Sequence, residues 1–131
     1  IDFSGTVSNI VYLRWLEDLR LTMLARYSPL DQHLRAGTIP VLSHTAIEYR
    51  TPLTITDTVH GHMWVSDIWR ARWGLEAELG DGRRVCATAR QTGIFVSLET
   101  RQPVRIPADL VALYRRHQDA GRAAAEASTT Y

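Results

Sequence analysis

The longest helical pattern in the chain runs from about Asn9 to Tyr27. Apolar side chains recur there at helical spacing and spread over most of the helix circumference. Such a helix is typical of a protein interior, so we expect it to be buried, with Ser8 or Asn9 as its N-cap. The following segment, residues 28–37, ends the helix and has room for a short extra turn.

The period of the pattern changes to two between Thr38 and Leu98, which predicts β-strands. The clearest alternation begins at Arg72, and Gly80-Asp81-Gly82 after it predicts a hairpin turn. Pro107 then opens a C-terminal helix. The alanine-rich tail from Ala120 to Tyr131 is expected to fray. The predicted strands cover residues 41–50, 58–69, 72–79 and 84–98.

This order of elements, one apolar helix followed by a meander of strands and a last helix, indicates an α+β fold. We predict one domain over residues 1–115, with residues 116–131 forming the end of the last helix and a tail. The first residues read as a turn inside a domain, so we also expect a strand upstream of Ile1.

Charge and cysteine content narrow the function classes. The 131 residues carry 15 basic side chains, all of them arginine, against 14 acidic ones, a net charge of +1. This gives no electrostatic footprint for nucleic acid or an anionic membrane, and the lack of lysine excludes lysine Schiff-base and P-loop chemistry. No apolar run is long enough to span a bilayer. The single cysteine, Cys86, allows no internal disulfide, which suits a reducing compartment, and we expect a cytoplasmic protein.

The segment that leads into the first helix carries the most informative motif. Asp2 and Gly5 precede a helix that contains Asn9, Tyr12, Leu13, Glu17 and Arg20. This order and spacing resemble the hotdog-fold thioesterases of the 4-hydroxybenzoyl-CoA thioesterase and acyl-CoA thioesterase family.

Later segments extend the resemblance to about residue 115. Glu48 to Leu53, followed by Asp57, is similar to a family strand that ends in a Tyr-x-x-Pro-Leu turn and an acidic loop. Phe95 and the segment Thr100 to Pro107 are similar to its last strand and closing turn. The resemblance implies an antiparallel sheet wrapped around the helix, and a homodimer or homotetramer with sites at the subunit interface.

The resemblance also implies hydrolysis of an acyl-CoA or acyl carrier protein thioester, without a metal or redox cofactor. Asp2 would be the catalytic base or nucleophile, and a backbone amide near Asn9 would polarise the carbonyl. Such chemistry needs a carboxylate and a donor for the developing oxyanion, and a helix start supplies free N–H groups. Thr6, which stands where relatives often carry histidine, and Tyr12 would contact the substrate.

Other interpretations of these residues stay open. Asp2 could instead accept hydrogen bonds in an Asx turn, and Tyr12 could simply pack. Glu17 is a rival catalytic carboxylate, although ion pairs with Arg14 and Arg20 are the expected role.

Two arginines that lie where the second and third predicted strands meet are further candidates. The resemblance assigns Arg70 and Arg72 to the phosphates of coenzyme A, which suit the forked guanidinium. The alternative is a solvated strand end with ion pairs to Asp67 or Glu76.

Two other kinds of site are weaker. His60 and His62 share a strand face, yet two histidines are a poor metal signal. Cys86 lies within a strand, where an inert buried thiol is expected. A non-catalytic acyl-CoA-binding protein and a hotdog dehydratase, which would need a histidine where Thr6 stands, remain the alternative functions.

Overall fold

The computed structural model describes residues 7–54, 56–119 and 124–131. In these residues the chain forms three helices and five strands, and the long helix has the bounds that the sequence predicts. The segment after it holds a seven-residue helix, so the expected extra turn is present. In chain order the elements are α1 (Asn9–Tyr27), α2 (Leu30–Ala36), β1 (Thr38–Tyr49), β2 (His60–Trp69), β3 (Arg72–Gly80), β4 (Val85–Ser97), α3 (Ala108–Asp119) and β5 (Ala124–Thr130).

The five strands form one antiparallel sheet in the order β1-β4-β3-β2-β5. We name the two ends of the sheet by the residues that pair there. The hairpin end contains the β2–β3 turn, and there Arg72 lies beside Ile94 and Ile94 beside Val41. The helix-start end contains Leu79, beside Ala87, which lies beside Tyr49. Arg72 and Leu79 are seven positions apart along β3, which corresponds to a distance of about 24 Å.

One face of α1 packs on the sheet. Its buried side chains follow each other at spacings of four, three and four residues, which keeps them on one side of the helix. The helix approaches β2 so closely that a Cβ atom at Gly61 would lie 3.0 Å from the Leu19 side chain. The buried residues of this face are Tyr12, Leu16, Leu19 and Met23.

A second apolar stripe of α1 is exposed in the single chain, whereas the sequence predicts a buried helix. Ile10, Leu13 and Leu21 are 63%, 47% and 54% exposed. At about 100° per residue these three side chains share one stripe of the helix, well away from its buried face. An apolar stripe of this kind is typical of a surface that a partner covers.

The tail also differs from the prediction, because it does not fray where the structure describes it. β5 pairs with β2 at the sheet edge opposite β1, with Gly61 beside Thr129. Tyr131 anchors its end: the backbone N–H donates to the Val59 carbonyl, and the hydroxyl donates to Asp18 Oδ2 at 2.7 Å. Burial, together with the Asp18 carboxylate, raises the pKa of Tyr131. Alanine and threonine signalled no strand, but the open edge of β2 supplies the hydrogen bonds.

The α+β hotdog architecture expected from the sequence is confirmed. The Gly80–Gly82 turn is confirmed too, since β3 ends at Gly80 and β4 begins at Val85. Within the described ranges, none of the helices is both long enough and apolar enough to pass through a bilayer.

We expect Gly93→Ala to destabilise the fold strongly. The Trp73 indole lies over Gly93, and an added methyl group would overlap with the indole and with the Val41 carbonyl oxygen. Overpacking of this kind costs roughly 3 kcal/mol in the free energy of unfolding, measured by urea denaturation. Gly74→Ala is the control, because its Cβ would come no closer than 3.3 Å to the Ser66 and Asp67 side chains and 3.8 Å to the Asp67 carbonyl oxygen, and it should cost less than about 1 kcal/mol. Equal losses in the two variants would contradict this account.

Candidate active site

The start of α1 lies at the helix-start end of the sheet. Ser8 is the N-cap residue, and its carbonyl oxygen accepts from the Val11 N–H at 3.1 Å. Val7 donates to the Leu53 carbonyl at 2.9 Å, which ties the entry to the helix onto the loop after β1. Among the described residues, no acceptor contacts the N–H groups of Asn9 and Ile10. The helix starts at Asn9, and its first N–H groups have no acceptor among the described residues.

Two of the candidate residues, Asp2 and Thr6, lie outside the described residues. Their roles stay predictions.

Tyr12 belongs to the core. It is 3% exposed, and its ring packs edge-on against Tyr49 at 4.9 Å and Trp15 at 5.5 Å between ring centroids. Burial raises the pKa of Tyr12, against the opposing effect of a hydrogen bond with the Leu53 backbone. In the single chain Tyr12 offers almost no surface to a substrate, so the geometry favours the packing role over the predicted substrate contact.

A buried polar chain crosses from α1 to the centre of the sheet. Arg20 donates through Nη1 to Gln91 Oε1 at 2.8 Å, and Gln91 Nε2 donates to Thr45 Oγ1 at 3.2 Å. Gln91 is only 3% exposed, while Arg20 is half-buried. Burial lowers the pKa of Arg20, and the charge of Glu17 acts in the opposite direction. These hydrogen bonds hold the Arg20 guanidinium beside side chains that are mostly apolar.

An apolar cavity of about 300 Å³ lies next to that guanidinium, at the hairpin end of the sheet. The second half of α1, the inner side of the sheet and α3 form its walls. Its entrance reaches the start of β1, where Leu42 is 38% exposed. Among the lining residues are Arg20, Met23, Tyr27, Trp73, Phe95 and Leu113.

Cavity and helix start lie far apart within one chain. Eleven residues separate Asn9 from Arg20, which corresponds to about 16 Å along the helix axis. α1 runs opposite to β1: Tyr12 contacts Tyr49 near the end of β1, while Met23 shares the cavity with Ile39 near its beginning.

Arg70 lies in the turn of the β2–β3 hairpin and Arg72 is the first residue of β3, and both are exposed. Arg70 has a left-handed backbone, with φ of 56°, and its guanidinium stacks over Trp69 at 4.5 Å from the ring centroid. The structure thus places both arginines at the end of the sheet that holds the cavity, and away from the α1 start of the same chain.

The remaining candidates have other surroundings. Glu17 is exposed and forms no ion pair with any described residue, so the expected pairs with Arg14 and Arg20 are not made. Cys86 is 1% exposed, as expected of an inert thiol. Across residues 7–54, 56–119 and 124–131, no group of three or more His, Cys, Asp or Glu side chains could hold a metal ion.

The family comparison bears on this arrangement. A family model described as the thioesterase-like superfamily matches residues 1–113. The chain belongs to this superfamily. The predicted class, a thioester hydrolase, is confirmed at the level of the family.

Solved structures of this superfamily's fold resemble the chain. The probable thioesterase YbaW from Escherichia coli superposes with a TM-score of 0.78 at 20% identity, over 86% of each chain. The DHNA-CoA thioesterase from Staphylococcus aureus gives 0.71 at 19% identity, covering 92% of this chain and 80% of its own. A 1,4-dihydroxy-2-naphthoyl-CoA thioesterase from Synechocystis gives 0.74 at 16% identity, covering 86% and 85%. No curated protein matches the chain.

Two features of the site escaped the sequence analysis. In the sequence Arg20 stands out only as part of the helix motif, and no motif includes Gln91 or Thr45. Gln91 falls on an inward position of β4, between Ala89 and Gly93, and that alternation was the one signal that marked it as a buried polar residue. The cavity also depends on α3 lying beside β2, where the Tyr114 hydroxyl donates to the Ser66 carbonyl, and no periodicity encodes that contact.

His33 gives the wall of the cavity a pH-dependent stability. It is 5% exposed, bonded to the hydroxyl of Ser28, which lines the cavity, and burial lowers its pKa below the ordinary 6.5. As the pH falls below that value the unfolded chain takes up a proton that the folded chain resists. We expect the free energy of unfolding to fall between pH 7 and pH 5, by at most about 1.4 kcal/mol per pH unit for this one group.

His33→Gln should make that slope shallower, whatever it does to stability at pH 7. Urea denaturation of both proteins at pH 7, 6 and 5 measures the effect. Parallel slopes in the variant and the wild type would show that His33 does not cause the loss.

Proposed function

We propose that this protein hydrolyses an acyl-CoA or acyl carrier protein thioester to the free acid and the thiol. The observation that supports this most directly is the apolar cavity of about 300 Å³ in a member of the thioesterase-like superfamily. Cavities of about 150 Å³ accommodate one benzene ring, so this one has room for a medium-length or aromatic acyl group.

In the proposed reaction Asp2 acts as general base or as nucleophile. As base, its carboxylate takes a proton from water, the water oxygen attacks the thioester carbon, and the C–S bond breaks to release the thiol. As nucleophile, it forms an acyl anhydride that water then hydrolyses. The carbonyl oxygen gains negative charge in either case. The N–H groups at Asn9 and the start of α1, which have no acceptor among the described residues, are suitable donors for it, and Thr6 would contact the substrate nearby.

A second copy of the chain would bring the two halves of this site together. β1 is a long edge strand with Val41, Leu42 and Tyr49 exposed, and the apolar α1 stripe of Ile10, Leu13 and Leu21 is also uncovered. Because α1 runs opposite to β1, antiparallel pairing of two β1 edges sets the partner's helix start against the hairpin end of this chain. We therefore propose a homodimer, or a tetramer built from it, in which each cavity faces the partner's helix start.

The remaining assignments complete the proposal. Arg70 and Arg72, exposed at the hairpin end, are suited to the phosphates of coenzyme A. Coenzyme A is then part of the substrate, and the reaction uses no metal or redox cofactor. The near-neutral charge and the single buried Cys86 suit a cytoplasmic protein with a small anionic ligand.

Asp2→Asn should lower kcat/KM for thioester hydrolysis by about 10²- to 10⁴-fold, since the amide can neither take the proton nor attack. The assay follows thiol release with a chromogenic disulfide. Its panel contains octanoyl-CoA, benzoyl-CoA and 1,4-dihydroxy-2-naphthoyl-CoA, the last because a similar structure carries that substrate in its name.

The matched control is Asp31→Asn on α2, where an exposed carboxylate pairs with Arg35. This variant should keep the wild-type rate. Full activity of Asp2→Asn would overturn the role of Asp2, and a wild-type protein that releases no thiol from any member of the panel would contradict the proposed activity.

A further inference from the structure

Arg20 contributes the one positive charge among the described residues that line the cavity. A guanidinium has five N–H donors, yet within the described part of the chain Arg20 has a single hydrogen bond, to the neutral amide of Gln91. It forms no ion pair with those residues. Its charge is therefore half-buried, and no carboxylate of the described residues forms an ion pair with it, although the exposed Glu17 is near enough to raise its pKa.

A second donor on the same cavity wall also lacks an acceptor. Trp73 is 8% exposed, and its indole N–H has no hydrogen-bond partner among the described residues. Buried polar groups are normally paired, because each unpaired one costs free energy. The Trp73 indole N–H is itself enclosed by protein, so the donors that a ligand in the cavity can reach are those of Arg20, and they point to a ligand that brings an acceptor oxygen.

The nature of that acceptor follows from the charge. A purely hydrocarbon ligand would displace water from Arg20 and leave its remaining N–H groups unbonded, which is unfavourable for a charged donor. A carboxylate would accept two of those hydrogen bonds and neutralise the charge. The lowered pKa of Arg20 is consistent with a cation held in poorly solvating surroundings.

We propose that Arg20 is a specificity-determining residue that selects an acyl group bearing its own carboxylate, as in the monothioester of a dicarboxylic acid. The proposal rests on the thioesterase function proposed above. Gln91 and Thr45 are positioning residues, since they hold the guanidinium at the cavity wall. The cavity is about twice the size that one benzene ring needs, which suits an acyl group of about eight carbons.

The test compares kcat/KM for 7-carboxyheptanoyl-CoA with kcat/KM for octanoyl-CoA, two thioesters of the same chain length. The wild type should prefer the carboxylated substrate by about 10- to 100-fold, the range expected for hydrogen bonds to a charged group. Arg20→Met should reduce this ratio to one or below by losing the carboxylated substrate and keeping octanoyl-CoA, and Arg20→Lys should restore part of it. A wild-type preference for octanoyl-CoA, or equal losses on both substrates in Arg20→Met, would overturn the proposal.

Two variants separate selectivity from general effects of charge and packing. Arg14→Met removes the same charge from the exposed side of α1 and should keep the wild-type ratio. Gln91→Glu keeps Arg20 but gives it an internal carboxylate, so the preference for the carboxylated substrate should fall towards one. An unchanged ratio in Gln91→Glu would contradict a role for the uncompensated charge.

Binding of ligands that contain no thioester tests the anion site independently of the proposed hydrolysis. Calorimetry compares octanoate with octanamide, which differ in charge and hardly in size. Octanoate should bind the wild type at least about 10-fold more tightly, and equally or less tightly to Arg20→Met. If no thioester is hydrolysed and octanoate is still preferred, the hydrolysis fails and the anion site stands. Equal binding of the two ligands to the wild type would overturn the anion site.

Discussion

The packing of α1 across the inner side of the sheet is the contact on which the other features depend. Four side chains, Tyr12 to Met23, bury one face of the helix, and Gly61 lets the helix come close to β2. This contact sets the start of the helix beside the end of β1 and its second half over the cavity. It also carries Arg20 to Gln91, so that a cation lies in a wall that is otherwise apolar.

The same contact leaves the single chain incomplete. A helix that is apolar on more than one face cannot bury all of them against one curved sheet, and β1 keeps a free edge beside it. The helix start and the cavity are about 16 Å apart along α1 in one protomer. The proposed two-fold axis at the β1 edge would relieve both problems, since it would cover the apolar stripe and set each helix start against the other chain's cavity.

The sequence allowed much of this framework to be predicted, because local patterns determine it. The bounds of α1, the Gly80–Gly82 turn and the strands β1 to β4 follow from periodicity and turn chemistry. Asn9 lies at the helix start as expected. Long-range contacts account for the misses. β5 is a strand because β2 has an open edge, and the Arg20–Gln91 bond joins residues 71 positions apart.

The central claim is that each site combines the helix start of one chain with the cavity of the other. Asp2→Asn removes the carboxylate that acts at the helix start. Leu113→Trp fills the cavity from α3, away from the β1 edge. Each variant alone should be inactive, whereas mixed dimers formed by refolding the two together should recover about a quarter of the wild-type activity, one intact site per heterodimer. No recovery in mixtures shown to contain heterodimers would contradict a shared site.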